Sequence, residues 1–273
     1  MNATRRREGR VMGADFKGYG IPRTARGLAS PYERAPWHLS GRVFTIWYYL
    51  ADPAEARRQV TPPLEVPENP LCRARFYELN MDGGYGDALA VRNPPQSRFF
   101  EAVIAIECSY QGLRGDCSAH MYSDNATYIA WGREVIGWPL KEGNISITSP
   151  WKPHQLEAGV EIAGNLERFG ERLMSAKIQL TAPRQTGAVS LPNWFSHKLI
   201  PNVEGREPDV NQLILAGPSR MDIGPVWEAT GALELRQGSA DELQFLRPGE
   251  IVSADYAPYV DLTVGHGKVL EKL

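Results

Sequence analysis

The stretch FFEAVIAIECSY, residues 99–110, is rich in β-branched and aromatic side chains, which suit the pleated surface of a β-strand. QGLRG at 111–115 follows it and is typical of a turn, so residues 116–122 are predicted to form the returning strand. VFTIWYY at 43–49 has the same composition and predicts another long strand. These segments indicate a fold built on antiparallel β-structure.

The rest of the chain extends this pattern. Further strands are predicted at 145–148, 160–166, 173–180, 212–215, 226–235 and 259–264. Helical signals are few, the clearest being 53–60 and 125–137, and the second is predicted to begin with Asn125 as its N-cap. Residues 1–35 contain several arginines and no sustained periodicity, so we expect a poorly ordered lead-in followed by a single mainly β domain over 36–273.

Composition excludes several classes of protein. The formal net charge of −2 argues against a nucleic-acid binder, and no apolar run approaches the length of a membrane span. The N-terminus lacks the apolar core of a secretory signal, and three cysteines without CxxC spacing indicate neither a disulfide framework nor a zinc site. We therefore expect a cytoplasmic protein that acts on a small molecule.

Common catalytic motifs are missing from the sequence. There is no GxSxG, HExxH, Walker or GxGxxG motif, and the five histidines have no metal-ligand spacing. We accordingly expect neither a metal nor a cofactor. Generic motifs alone leave the function open.

Two segments narrow the possibilities. YSDNATYIAWGRE at 122–134, ending in WPLK at 138–141, and KLIPN at 198–202 together resemble the acetoacetate decarboxylase-like superfamily. The resemblance extends from about Trp37 to the C-terminus. It implies a closed antiparallel β-barrel with a buried apolar cavity, assembly as a homo-oligomer, and Schiff-base chemistry in which a buried lysine condenses with a ketone.

Three positions follow from this resemblance. Arg42 matches the family's cavity arginine and Glu101 its cavity glutamate, so both are predicted to be catalytic. The Schiff-base lysine should follow Pro139 directly, and this chain has Leu140 there. A leucine cannot form an imine, so the resemblance implies a cavity without covalent catalysis, with Leu140 as a substrate-binding residue.

Lys141 is the alternative nucleophile. Consecutive side chains of an extended segment point to opposite faces, so Leu140 and Lys141 cannot both enter the cavity unless a bulge intervenes. Aromatic residues near the matched positions are predicted to line the cavity and to favour a larger, flatter substrate than acetoacetate. They are Tyr48, Phe99, Trp131 and Trp138.

The leading hypothesis is a cofactor-independent cyclase or isomerase that acts without covalent catalysis on a carbonyl-rich, polyketide-type intermediate of secondary metabolism. One alternative is a Schiff-base decarboxylase or aldolase-dehydratase that uses Lys141 on a β-keto or 2-oxo acid. The other is a non-catalytic binder of a hydrophobic ketone.

Overall fold

The structure, a computed structural model, describes residues 15–86, 89–184 and 191–273 of the 273-residue chain. The strands are β1 (Trp37–Leu50), β2 (Leu71–Met81), β3 (Arg98–Tyr110), β4 (Leu113–Ser123), β5 (Leu140–Glu142), β6 (Asn144–Ile147), β7 (Glu161–Arg168), β8 (Glu171–Arg184), β9 (Trp194–Ile200), β10 (Val210–Ala216), β11 (Pro218–Ile223), β12 (Val226–Leu235), β13 (Pro248–Val264) and β14 (Lys268–Lys272). The helices are α1 (Ala54–Gln59), α2 (Leu89–Arg92), α3 (Pro94–Ser97) and α4 (Ala126–Trp131), with a π-helical turn at Gly132–Ile136 and a 3-10 turn at Leu243–Leu246. In these ranges no helix is both long and apolar enough to cross a membrane.

The fourteen strands belong to one sheet, which confirms the mainly β prediction. Its hydrogen-bonded order is β14-β10-β9-β4-β3-β2-β1-β13-β12-β8-β7-β6, with β11 paired to β13 and β5 paired to β4. Most neighbours are antiparallel, but β4 pairs in parallel with both β5 and β9. Strands β3, β2, β1 and β13 are therefore consecutive near the middle of the sheet.

The predicted closure into a barrel is wrong. Strands β14 and β6 are the two ends of the order, and in the described part of the chain they do not pair with each other. A barrel closes only when each strand continues the stagger of its neighbours around the whole circumference. Strands β5, β6 and β14 have only three, four and five residues, which is too short to continue that ladder.

The turn between β3 and β4 sets the register at the centre of the sheet. Gln111 and Gly112 both have positive φ angles, 50° and 82°, as the tight turns that match strand twist require. Strand β4 therefore begins at Leu113, earlier than the sequence predicted. This register places Ser123 across from Glu101.

Helix α4 has the asparagine cap that the sequence predicts. The Asn125 side chain accepts a hydrogen bond of 3.1 Å from the backbone N–H of Tyr128. The π-helical turn that follows ends at Gly137, where φ is +83° and an added Cβ would lie 2.6 Å from the Cα of Lys198. Only glycine fits this close approach in a left-handed conformation, so the end of the helical segment is fixed against β9.

The two faces of the sheet carry two separate apolar clusters, because successive strand residues point to opposite faces. The first core includes Phe44 and Phe76, which are 1% and 0% exposed. The second core includes Trp37, Phe99 and Leu262. Burial of each large apolar side chain stabilises the folded state by about 1.5–3 kcal/mol. The central strands therefore pack apolar residues on both faces of the sheet.

Residues 15–35 of the predicted lead-in contain only an isolated pairing of Lys17 with Thr24. They are nevertheless attached to the domain, since Tyr32 is buried in the second core and its hydroxyl donates a hydrogen bond to Glu134. The predicted poor packing therefore does not extend to Tyr32. Residues 1–14 of the lead-in lie outside the described ranges.

Candidate active site

Strands β2 and β3 bring three polar side chains to the face that carries the second core. Glu101 on β3 lies directly across from Tyr77 on β2, and Arg75 comes two residues before Tyr77 on the same strand. The alternate residues Ala74 and Phe76 belong to the first core on the opposite face. The two-residue period of a strand thus puts a carboxyl, a phenol and a guanidinium on one wall.

These three side chains line a cavity, which we call the inner chamber. It is otherwise lined by Leu39, Leu79, Val103, Ser118, Met121, Tyr128, Trp138, Trp194 and Leu262. The volume of the inner chamber is about 40 Å³. That is enough for one small functional group or a few water molecules, so a complete substrate must extend beyond it.

A wider outer chamber adjoins the inner one and has a volume of about 270 Å³. The two chambers share four lining residues: Arg75, Tyr77, Trp194 and Leu262. The outer chamber is otherwise lined by Val43, Thr45, Trp47, Arg184, Pro192, Met221, Ile223, Val226, Asp255, Ala257 and Val260. The two chambers therefore lie next to each other, with these four side chains at their boundary.

Glu101 is the unusual acid of this site. It is 4% exposed, and burial raises the pKa of its carboxyl to about 8. The Tyr128 hydroxyl donates a hydrogen bond of 3.1 Å to Oε1, and the positive charge of Arg75 is nearby; both lower the pKa but do not offset burial. A carboxyl with this pKa exchanges protons near neutral pH, which suits a general acid or base.

Arg75 provides the positive charge that both chambers share. Its guanidinium hydrogen-bonds Asp116 at 3.4 Å, and Arg73 is hydrogen-bonded to the same carboxylate. A guanidinium has five donor N–H groups, so Arg75 keeps donors for a ligand in the cavity. An arginine in this position can bind a carbonyl, enolate or carboxylate oxygen.

Arg42, which we predicted to share the cavity with Glu101, lies instead on the opposite face of the sheet. Its guanidinium donates to Glu78 at 2.7 Å, to the carbonyl oxygen of Thr148 at 2.8 Å and to the Ser149 hydroxyl at 3.0 Å. The physical reason is strand alternation, since the next residue, Val43, lines the outer chamber. The arginine that lines the cavity with Glu101 is Arg75.

The last two residues of the WPLK segment, Leu140 and Lys141, have side chains on opposite faces of strand β5. Leu140 pairs with Met121, which lines the inner chamber, and is 1% exposed within the second core. Lys141 pairs with Tyr122, and its amine hydrogen-bonds Asp241 at 2.7 Å. The two side chains thus lie on opposite faces of an extended strand, and Leu140, which we predicted to bind substrate, packs in the second core without lining either chamber. All seven lysines are within the described ranges, and none of them lines either chamber.

The predicted aromatic residues divide into three groups. Trp138 lines the inner chamber. Phe99 and Trp131 lie in the second core without lining it, and Phe99 stacks on Tyr128 with the ring centroids 4.2 Å apart. Tyr48 is fully buried in the first core on the other face, so it is not part of this cavity. The even-numbered position of Tyr48 puts it on the same face as Arg42.

Sequence reasoning missed several lining residues, of which the most important are Arg75, Tyr77, Trp194 and Asp255. The signal for the first two was present in RARFYEL at 73–79, where polar residues alternate with Ala74 and Phe76. Trp194 and Asp255 come from distant strands, and only the register of the sheet brings them to the cavity. In the described part of the chain, no group of three or more histidine, cysteine, aspartate or glutamate residues could hold a metal ion.

Comparison with known proteins gives a consistent family. Residues 21–273 match the family model described as acetoacetate decarboxylase. An acetoacetate decarboxylase from Paraburkholderia phytofirmans is 30% identical over 250 residues, which cover 90% of this chain and 91% of the relative. One from Clostridium botulinum is 28% identical over 248 residues, covering 89% and 92%.

Solved structures show the same fold. An acetoacetate decarboxylase-like enzyme from Sphingomonas wittichii superimposes with a TM-score of 0.84 at 23% identity, covering 94% of this chain and 100% of the other. The enduracididine biosynthesis enzyme MppR, in complex with the condensation product of pyruvate and imidazole 4-carboxaldehyde, has a TM-score of 0.83 at 23% identity, covering 95% and 98%. At this level of identity, the likeness concerns the fold alone.

Proposed function

This chain belongs to the acetoacetate decarboxylase family, and we propose that it is a cofactor-independent enzyme that acts on a carbonyl-rich small molecule without forming a Schiff base. The reaction is an isomerisation or ring closure that proceeds through an enolate. A polyketide-type β-dicarbonyl is the substrate class that suits it, because a carbon between two carbonyl groups loses its proton readily. The named relatives are enzymes, which supports catalysis over simple binding.

One observation carries this proposal: Glu101 is buried beside Arg75 in a cavity that is lined by no lysine. Imine chemistry needs an amine in the cavity. Leu140 is packed beside Met121, and the amine of Lys141 is held by Asp241 on the other face. The ionisable groups that remain can transfer protons and stabilise negative charge.

In the proposed mechanism, Arg75 stabilises negative charge and Glu101 transfers a proton. Arg75 donates hydrogen bonds to the substrate carbonyl oxygen and stabilises the negative charge that develops there. The Glu101 carboxylate removes a proton from the adjacent carbon and returns the same proton to another atom of the substrate. Its pKa of about 8 makes it a stronger base than an ordinary carboxylate. No atom is lost from the substrate, and the aromatic walls hold the carbonyl end in position beside Glu101.

Proton exchange tests this mechanism. We expect the protein to accelerate exchange of the central proton of methylated acetylacetone with deuterium oxide, measured by NMR against the buffer rate. Glu101→Gln removes the base and should lower the rate by about 100-fold or more. Glu78→Gln is the matched control, because Glu78 lies on the opposite face and pairs with Arg42. Equal rates for Glu101→Gln and the wild type would contradict the assignment.

Borohydride trapping distinguishes the alternatives. With acetoacetate or pyruvate present, the intact mass of the reduced protein should show no added ligand. A covalent adduct on Lys141 would overturn the proposal in favour of a Schiff-base decarboxylase or aldolase-dehydratase. Tight binding of diketones without any exchange above the buffer rate would instead identify a binder of hydrophobic ketones.

A further inference from the structure

We propose that the outer chamber contains a second recognition site, in which the Asp255 carboxylate binds a hydrogen-bond donor at the far end of the substrate. This inference rests on the proposed function, because it concerns the same cavity. It narrows the substrate to elongated molecules with a carbonyl group at one end and a hydroxyl or ammonium group at the other.

The register of the sheet fixes the distance between the two ends. Asp255 on β13 lies across from Thr45 on β1, which lies across from Arg75 on β2. Glu101 is on β3, so three strand spacings separate it from Asp255. At about 4.8 Å per spacing, their backbones are about 14 Å apart in this direction. Both side chains lie on the same face as Arg75, whose charge acts on both carboxyl groups, so a molecule that contacts both extends from one chamber into the other.

Side chains of the protein occupy only some of the hydrogen-bond acceptor sites of the Asp255 carboxylate. The indole N–H of Trp47 donates to Oδ2 at 2.9 Å, while the guanidinium of Arg184 is 4.0 Å from the same oxygen. Arg75 is hydrogen-bonded to Asp116. A carboxylate accepts about four hydrogen bonds, so acceptor sites remain for a ligand. Burial raises the pKa of Asp255, and the hydrogen bond from Trp47, the charges of Arg184 and Arg75 and a hydrogen bond from Thr45 offset this only in part.

Beside Thr45 and Arg75, the space between the two carboxyl groups has an aromatic and apolar wall that suits a flat ring. Trp194 lines both chambers, and Trp47 and Met221 line the outer one. The guanidinium of Arg73 lies over the Trp47 ring at 4.6 Å from its centroid, which holds the indole in place. An aromatic ring or a conjugated chain can fill this region, with polar groups required only at its ends.

Calorimetric binding of a probe series tests the inference. The probes are benzoylacetones with hydrogen, hydroxyl, aminomethyl or carboxyl at the para position of the ring. We expect the hydroxyl and aminomethyl probes to bind about tenfold tighter than the unsubstituted one, and the carboxyl probe to bind most weakly. Asp255→Asn should remove the advantage of the aminomethyl probe, whereas a smaller advantage persists for the hydroxyl probe, which an amide can still accept from.

Asp261→Asn is the matched control. Asp261 is on the same strand but lines neither chamber, and its carboxylate accepts a hydrogen bond from the Tyr259 hydroxyl. The order of probe affinities should be unchanged in this variant. A wild-type preference for the carboxyl probe, or an unchanged order in Asp255→Asn, would overturn the inference.

Binding of the same benzoylacetone probes to the Glu101→Gln variant distinguishes a failure of this inference from a failure of the proposed function. If Glu101→Gln loses proton exchange but keeps the order of affinities, both proposals hold. If exchange does not depend on Glu101 while Asp255→Asn still changes the order, only the proposed function fails. If exchange depends on Glu101 but the order does not depend on Asp255, only the second recognition site fails.

Discussion

Glu101 illustrates how a single residue acquires its chemistry from its neighbours. The side chain is an ordinary carboxylate in the sequence, between Phe100 and Ala102. Burial raises its pKa to about 8, and the hydrogen bond from Tyr128 keeps the pKa from rising further. The charged form, which acts as base in the proposed mechanism, therefore accumulates as the pH rises through about 8.

Tyr128→Phe tests this balance at the residue scale. The Tyr128 hydroxyl stabilises the carboxylate, so its removal should raise the pKa of Glu101 and move the pH midpoint of proton exchange upward by roughly 0.7 of a pH unit. The pH–rate profile measures this midpoint directly. Tyr259→Phe is the control, because its exposed hydroxyl contacts Asp261 and not the cavity. A midpoint that moves downward in Tyr128→Phe would contradict the assigned direction.

At the scale of an element, the pairing of strand β5 determines on which face of the sheet Leu140 and Lys141 lie. It has three residues and pairs in parallel with β4, so that Leu140 is beside Met121 and Lys141 is beside Tyr122. A shift of the register by one residue would exchange the two side chains between the faces of the sheet. Position 140 therefore lies in the second core next to Met121, which lines the inner chamber.

Leu140→Lys is predicted to restore imine chemistry. An amine at this position would lose hydration in the second core, which lowers its pKa and frees it as a nucleophile. Borohydride reduction with acetoacetate should then yield a covalent adduct on residue 140, detected by peptide mass spectrometry. Leu140→Met, which preserves volume without an amine, should yield none. A folded Leu140→Lys protein, checked by thermal denaturation, that forms no adduct would show that this side chain does not reach the cavity.

At the scale of the whole molecule, hydrogen bonds to Asp241 connect segments that are distant in the chain. This buried carboxylate accepts hydrogen bonds from Tyr122 at 2.6 Å, Lys141 at 2.7 Å and Arg168 at 3.0 Å. The three donors belong to β4, β5 and β7, so the cluster connects the centre of the sheet with strands near its β6 end. Burial alone would raise the pKa of Asp241, but these hydrogen bonds lower it overall.

Asp241→Asn should destabilise the fold by about 2 kcal/mol, because it removes the counter-charge of the partly buried Lys141 and Arg168. Urea denaturation at neutral pH measures the loss, with the exposed Asp52→Asn as control. The pKa is lower in the folded state, so the contribution of Asp241 is present above the pKa of an unfolded aspartate, about 3.9, and is lost as the pH falls through the folded value. The difference between wild type and variant should therefore shrink in strong acid. A difference that is constant with pH would exclude this ionic role.

The sequence by itself predicted nine of the fourteen strands, the capped helix and the family, but it did not predict β2, which carries Arg75 and Tyr77. Those features depend on local composition and alternation along one segment, which a sequence records directly. Only the tertiary structure decided that the sheet stays open, that Arg75 rather than Arg42 accompanies Glu101, and that Asp255 lines the same cavity. These outcomes depend on which strands pair and in what register, and pairing between distant strands is set by packing across the whole sheet.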